Sequence, residues 1–536
     1  MQPIRVLAAP TITPRGSARL GAVAGVLAAG VALGVGHLVA AVVGPATSPL
    51  FAVGGVLIDA APQAAKAFAI ETFGNDDKSA LLAGILLALI VVSAIVGVIA
   101  VRRPAAGAIA ILAFGVVGTA AALSRPGAAP IDALPALAGA AVALAALIGL
   151  VRLARATAGA DRARAELDAR GVGSPPAVAH GRTLERRWFL AGALGVAGVA
   201  AASGGLGALL QSRRATSDAS QADVPVPLDP APTVDPATSL GVDGISAFTT
   251  PNASFYRVDT ALVPPVIRLA DWRLRVHGMV DRELTLTYDQ LVALPTVERD
   301  ITLTCVSNPV GGPYAGHARW IGVPLRAVLD EAGVQAGADQ IVSRSIDGMT
   351  IGTPTAVALD GRDAILAVAM NGEPLPVEHG YPVRMVVPGL YGYVSATKWL
   401  TELELTTFDA YDAYWVQRGW AAQGPIRTMS RIDTPRPLAT VPVGRVRVGG
   451  VAWAQHLGIT RVEVRVDDGP WSEARLGAVD TVDTWRQWVF DWSATAGRHS
   501  ISVRATDRSG MLQAEERAEP FPSGATGWHT VVVTAA

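Results

Sequence analysis

Residues 183–210 read TLERRWFLAGALGVAGVAAASGGLGALL. From Trp188 to Leu210 no side chain is charged, and Arg186 and Arg187 stand side by side just ahead of the run. An uncharged stretch of this length spans a ~30 Å hydrocarbon layer at ~1.5 Å per residue. It predicts a transmembrane helix over 188–210, the fifth of the chain, and the sequence differs in kind on its two sides.

Toward the N-terminus, region 1–187 carries four more uncharged runs, 20–44, 79–101, 104–123 and 133–151. Residues 50–73 are apolar but broken by Asp59, Lys66 and Glu71, which fits a helix lying in the membrane interface. The whole chain is 51% hydrophobic and only 17% charged, with a mean hydropathy of +0.37. A soluble domain carries ~25% charged residues, so part of this chain must avoid water. With the N-terminus inside, thirteen basic residues fall in cytoplasmic loops and three (Lys66, Lys78, Arg125) in outer ones. That bias predicts a multi-pass protein of the cell membrane, with everything after residue 210 outside the cytoplasm. Arg186-Arg187 before an Ala/Gly-rich helix resembles an internal, uncleaved twin-arginine export signal; ordinary positive flanks remain the other reading. His37 is the only histidine in a span, so a membrane haem held by two histidines is not expected.

Toward the C-terminus, residues 211–245 are rich in Pro, Ser, Ala and Asp and read as an extracytoplasmic linker. Strand-like runs then alternate with helical stretches such as Leu325–Ala332, an α+β pattern over 246–410. Over 411–536 short strands recur between turn signals such as Asp467-Asp468-Gly469, as in an Ig-like β-sandwich. Trp453, Trp471, Trp485, Trp488, Trp492 and Trp528 supply its large faces. A net charge of −1 argues against a nucleic-acid binder, and a single Cys excludes internal disulfides and Cys-rich metal sites.

That single thiol, Cys305, ends the run Thr302-Leu-Thr-Cys305 and opens Val306-Ser-Asn-Pro-Val-Gly-Gly312. A lone Cys in an oxidising compartment is a nucleophile, a soft metal ligand or an inert filler. Only three of the 44 basic residues are Lys, and Lys398 is the one beyond the membrane region. It closes the segment His379–Lys398, which also holds Arg384 and several Gly turns: cationic donors and bared backbone N–H groups that suit an anion.

Several motifs in order make the soluble half similar to the sulfite oxidase family of molybdenum enzymes. They are Ser254-Phe-Tyr-Arg257, the Cys305 loop with Trp320-Ile-Gly-Val-Pro-Leu325, Met370-Asn-Gly-Glu-Pro-Leu-Pro376, the His379–Trp399 block, Ala452-Trp453 and Thr526-Gly-Trp-His529. The resemblance does not cover the membrane spans. It implies a molybdenum ion held by one molybdopterin and the Cys305 thiolate, with Arg257 and Tyr411 or Tyr414 in the catalytic set. It further implies cofactor contacts from Phe255, Tyr256, Arg257, Ser307, Asn308, Asp347, His379, Arg384, Ser395, Thr397 and Lys398. Asp347 reads equally well as a turn residue of Asp347-Gly348. The activity implied is oxygen-atom transfer on a small oxo substrate, with a separate cytochrome or quinone as electron partner. A homodimer through the Ig-like domain is also implied, and no haem in this chain. Sulfite-oxidising members ring their substrate with arginines; here the segment after Cys305 has none, and the arginine of the C-terminal domain falls near Leu457. The other reading, from a different class, is a non-catalytic, membrane-tethered surface protein that binds through its Ig-like domain.

Overall fold

A computed structural model describes residues 15–536 apart from 63–64, 66–67, 70–71, 74–76, 126–127, 171–175, 220–221 and 266. The chain forms two units: Met1–Arg214 with Thr260–Val263, and Ala215–Asp259 with Pro264–Ala536.

The first unit is helical. Helices run over Arg15–Val43, Pro49–Ala60, Asp77–Arg102, Pro104–Leu123, Leu134–Ala169 and Pro176–Ala219. Among the described residues, five helices are long and apolar enough to cross a membrane. Small residues let two of them meet backbone to backbone: a Cβ on Gly25 would lie 1.9 Å from the Ser93 carbonyl oxygen, and one on Gly97 2.0 Å from that of Gly21. Of the segment 50–73, the helix covers residues up to Ala60, and Lys66 and Glu71 lie outside the described residues. The last two helices outrun their uncharged stretches, because the flanking Ala, Arg, Leu and Glu are good helix formers. Arg186 and Arg187 therefore lie within a helix and not ahead of one.

The second unit is β-rich. The expected tether behaves otherwise: residues 211–219 continue the last helix, and the stretch after them lies on the β-rich unit. The Leu228 N–H donates to the Thr296 carbonyl (2.8 Å), and the Glu298 N–H to that of Asp229 (2.9 Å). The reason is the free edge of the strand Val297–Thr304. Its polar backbone groups need partners, and the segment supplies both kinds, N–H groups of Leu228 and Asp229 and the carbonyl of Asp229.

Two sheets make the first part of this unit. One pairs, in order, Leu284–Thr287, Arg273–Gly278, Leu400–Thr406, Gln340–Ser345 and Thr350–Pro354. The other pairs Val297–Thr304, Ala315–Pro324, Ile365–Met370 and Glu373–Pro374, with Arg384–Val386 also on Ile365–Met370. The helix Leu325–Ala332 buries Leu325, Val328, Leu329 and Ala332, one face at helical spacing, and stops at Gly333 in the left-handed region (φ 71°). The C-terminal part is two sheets around a common core of Val448, Trp488, Val462, Ile501 and Val533. Trp453, Trp485, Trp488 and Trp492 are buried, whereas Trp471 and Trp528 are half-exposed and stack beside Arg465 and Arg504.

Candidate active site

Cys305 is the first residue past the strand Val297–Thr304 and is buried. Its N–H donates to the Tyr314 carbonyl (2.9 Å), and its own carbonyl accepts from the Asn308 N–H (3.1 Å). The Asn308 side chain accepts from the Tyr314 N–H (2.8 Å), so it fastens both ends of the loop. Burial pushes the thiol up from its ordinary range, and hydrogen bonds from Ser307 and the charge of Lys398 pull it back. The C-terminal domain grips the same strand. Gln455 donates to the Thr302 carbonyl (3.0 Å) and to the Thr304 hydroxyl (2.9 Å), and the Thr302 N–H donates to the Asp483 carbonyl (2.9 Å).

The Phe255–Arg257 segment supplies one wall. Phe255 stacks on Tyr256 at 5.3 Å and packs edge-on to Trp320 and His379. It fits because residue 316 is Gly, whose Cβ would lie 2.9 Å from the ring. Burial, with Cys305 close by, holds the Tyr256 phenol far above its usual range, so it stays protonated. Arg257 donates to the Asp259 carboxylate at 2.8 Å.

The second wall is the His379–Lys398 block, which meets the first where Phe255 packs on His379 and where Asp259 bonds Lys398. Gly380 sits at φ 115°, and a Cβ there would lie 3.0 Å from Lys398 Cα and 3.1 Å from Arg384 Cβ. The bare glycine is what lets the two cationic residues converge. His379 is lowered to about 4, chiefly by burial, and is neutral at pH 7; its Nε2 is 3.0 Å from the Asn252 carbonyl. Lys398, lowered to about 8 by burial and by Arg384 and Arg257, donates to Asp259 at 2.7 Å. Arg384 is buried, lowered to about 10 by burial, and stacked 5.1 Å from the Trp320 ring. Its Nη1 donates to the His379 carbonyl (3.1 Å), but its Nε has no acceptor, and among the described residues no carboxylate pairs with it.

Other expected residues lie elsewhere or face inward. The Ser395 hydroxyl donates to the Leu390 and Tyr391 carbonyls (3.0 Å each), and the Thr397 hydroxyl lies 2.5 Å from that of Ser343. Asp347 closes the turn between Gln340–Ser345 and Thr350–Pro354, accepting from the Met349 N–H at 3.2 Å. Tyr411 bonds Arg344 and Thr350, both at 3.3 Å, and the Tyr414 N–H donates to Thr350 (3.0 Å). These contacts belong to the sheet that does not carry Cys305. Asp259, Asn308's partner Tyr314, and Gln455 escaped the sequence reading as a set. The first has a signal, a carboxylate two residues after Arg257; Gln455 comes from 150 residues away and has none.

Residues 261–415 match the family model of the oxidoreductase molybdopterin binding domain. The chain is 31% identical over 335 residues to sulfite oxidase of Gallus gallus, which covers 53% of this chain and 72% of that protein. It is 31% identical over 325 residues to the mitochondrial sulfite oxidase of Drosophila melanogaster, covering 50% of this chain and 56% of the fly protein. It is also 32% identical over 175 residues to the oxidoreductase YuiH of Bacillus subtilis (strain 168), covering 32% of this chain and 83% of that one. The match to the family model leaves the apolar helices outside, and the chain spans little more than half of the fly protein's length. The chain belongs to the sulfite oxidase family of molybdopterin-dependent oxidoreductases.

Proposed function

We propose that the chain is a membrane-anchored molybdenum enzyme that transfers an oxygen atom, with two electrons, to or from a small oxo substrate of sulfite or sulfoxide type. The observation that carries this is the buried Arg384 guanidinium, whose Nε has no acceptor and which no carboxylate pairs among the described residues, together with a buried thiol, both close to Tyr256. A buried cation without a counterion is costly, and a phosphate-bearing cofactor removes the cost. The thiol is the soft donor a molybdenum ion takes. The residues fit the group: Cys305 would ligate the metal, Arg384 and Lys398 would meet the phosphate, and Phe255, Tyr256 and His379 would wall the pterin. When bound, molybdenum–molybdopterin supplies the oxygen-atom and two-electron chemistry.

The chain's own residues do the rest. Asn308 and Ser307 hold the Cys305 loop, Phe255 and Trp320 exclude water, and the protonated Tyr256 phenol is a donor beside Cys305. We read the helical unit as a multi-pass anchor, the β-rich unit as extracytoplasmic, and Arg186-Arg187 as an export signal. The two-sheet C-terminal domain is read as an Ig-like dimerisation module, and the electron partner as a separate cytochrome or quinone.

Metal analysis of the purified full chain tests this: about one molybdenum per chain is expected, together with fluorescence of released pterin. Cys305→Ser should abolish turnover. A metal-free, pterin-free protein, or unchanged turnover in that variant, would count against the reading. An enzymatic reporter fused after Ala536 should be active only outside the cytoplasm.

A further inference from the structure

The cations around Cys305 do not come alone. Arg431, whose Nη1 donates to the Gly312 carbonyl at the end of the Cys305 loop, is held by Asp433 at 2.6 Å. Arg257 and Lys398 share one carboxylate, Asp259, at 2.8 and 2.7 Å. The Asp259 side chain is only 4% exposed, so its negative charge is not spent on water. Of the three cations of the two walls, Arg257 is the one open to solvent, at 33%, against 11% for Lys398. Arg384 is the exception, buried and, among the described residues, paired with no carboxylate. The loop Val306–Gly312 brings no cation at all.

We infer that Asp259 is a specificity-determining residue: by claiming Arg257 and Lys398 with one buried carboxylate, it makes the site select an uncharged oxo substrate over a dianion. The inference rests on the oxidoreductase reading above and narrows its substrate class. With Arg384 and Lys398 given to the cofactor phosphate, Arg257 is the cation left for a substrate, and its pair with Asp259 carries no net charge. A sulfite-like dianion would have to compete with Asp259 for Arg257 and would sit against the carboxylate's charge. A sulfoxide asks only for a donor to its oxygen. Its reduction consumes two electrons and two protons, breaks the sulfur–oxygen bond, and leaves a thioether and water. The reductant is a low-potential donor, supplied in the assay by reduced viologen dye.

The test uses the molybdenum-loaded full chain in detergent, with sulfate as the dianion probe and dimethyl sulfoxide as the uncharged substrate. Wild type should bind sulfate at millimolar strength or weaker by calorimetry. Asp259→Asn should tighten sulfate binding about tenfold, the change expected when one buried carboxylate stops competing for charged donors. Its KM for sulfite should fall by a similar factor, while Asp259→Glu keeps sulfate binding weak. Molybdenum and pterin content are measured in every preparation, so that absence of the metal reports on the enzyme reading and not on Asp259. A loaded Asp259→Asn protein with wild-type sulfate affinity overturns the inference. Should that variant not fold, tight micromolar sulfate binding by wild type overturns it, and weak binding with dimethyl sulfoxide turnover supports it.

Discussion

Arg384 and Asp259 show two opposite ways of keeping a charge in a protein interior. Asp259 is satisfied twice over, by Arg257 and Lys398. Arg384 has carbonyls, an aromatic face and one empty donor. Replacing a buried ion pair by apolar residues of similar volume is often neutral or stabilising, by ~1–4 kcal/mol, and a buried ion without a counterion has less attraction to lose. Arg384→Met should therefore leave the cofactor-free protein as stable as wild type or more so, yet abolish retention of pterin. Thermal unfolding of the cofactor-free form and pterin fluorescence of the purified protein read the two effects apart. A clear fall in the stability of the cofactor-free form would mean that Arg384 supports the fold and is not held in reserve for an anion.

At the scale of the element, the strand Val297–Thr304 organises the site, and the sequence disclosed only its end. Ile301–Thr304 alternates as a strand should, whereas Glu298, Arg299 and Asp300 look like surface. Their polarity belongs to partners far away in the chain: Arg299 to Asp229 and Asp363, Asp300 to Arg319. A long-range ion pair leaves no local pattern to read. The helix Leu325–Ala332 was legible because its apolar spacing and the Gly after it are both local. Gln455 is the extreme case, a side chain from the turn after the strand Gly444–Trp453 that satisfies the strand immediately before Cys305. Gln455→Leu leaves the buried Thr302 carbonyl and Thr304 hydroxyl without this donor and should destabilise the β-rich unit by ~1–3 kcal/mol. It should also raise the rate at which a thiol reagent modifies Cys305 in cofactor-free protein. An unchanged modification rate, with stability lowered as expected, would show that the grip on the strand does not extend to the thiol.

For the molecule as a whole, the contrast between its halves was readable because uncharged runs are a property of composition, and Cys305 and Lys398 stood out by rarity. The docked linker was not readable, since a Pro-rich segment has the same composition whether free or pinned to a sheet edge. Nor was the distribution of buried titratable groups, which gives the β-rich unit a pH response of definite sign. His317, His379 and His529 are each lowered to about 4, mainly by burial, from an ordinary 6.5. Between those values the unfolded chain binds three protons that the native unit refuses, so stability falls as pH falls. Asp480 works the other way by one proton: it is raised to about 6 by burial and by Asp300, and its native form takes up a proton that the unfolded chain lacks. His456 and His499, raised by Asp483 and Asp467, act above pH 6.5, and the lowered carboxylates Asp360, Glu402 and Asp507 act below the usual carboxylate range. The window from about 6 to 4.5 is thus left with a net uptake of about two protons on unfolding, or ~1.4 kcal/mol per proton and pH unit before screening. Eleven of the twelve Trp residues follow residue 215, with Trp188 the one in the helical unit, so tryptophan fluorescence reports chiefly on the β-rich unit. Its unfolding midpoint should drop steadily from pH 6.5 to 4.5, and His317→Gln, which removes the most deeply buried of the three imidazoles, should make the slope shallower by about one proton. A midpoint that is flat or rises on acidification would show that the three imidazoles take up protons in the native unit as readily as in the unfolded chain.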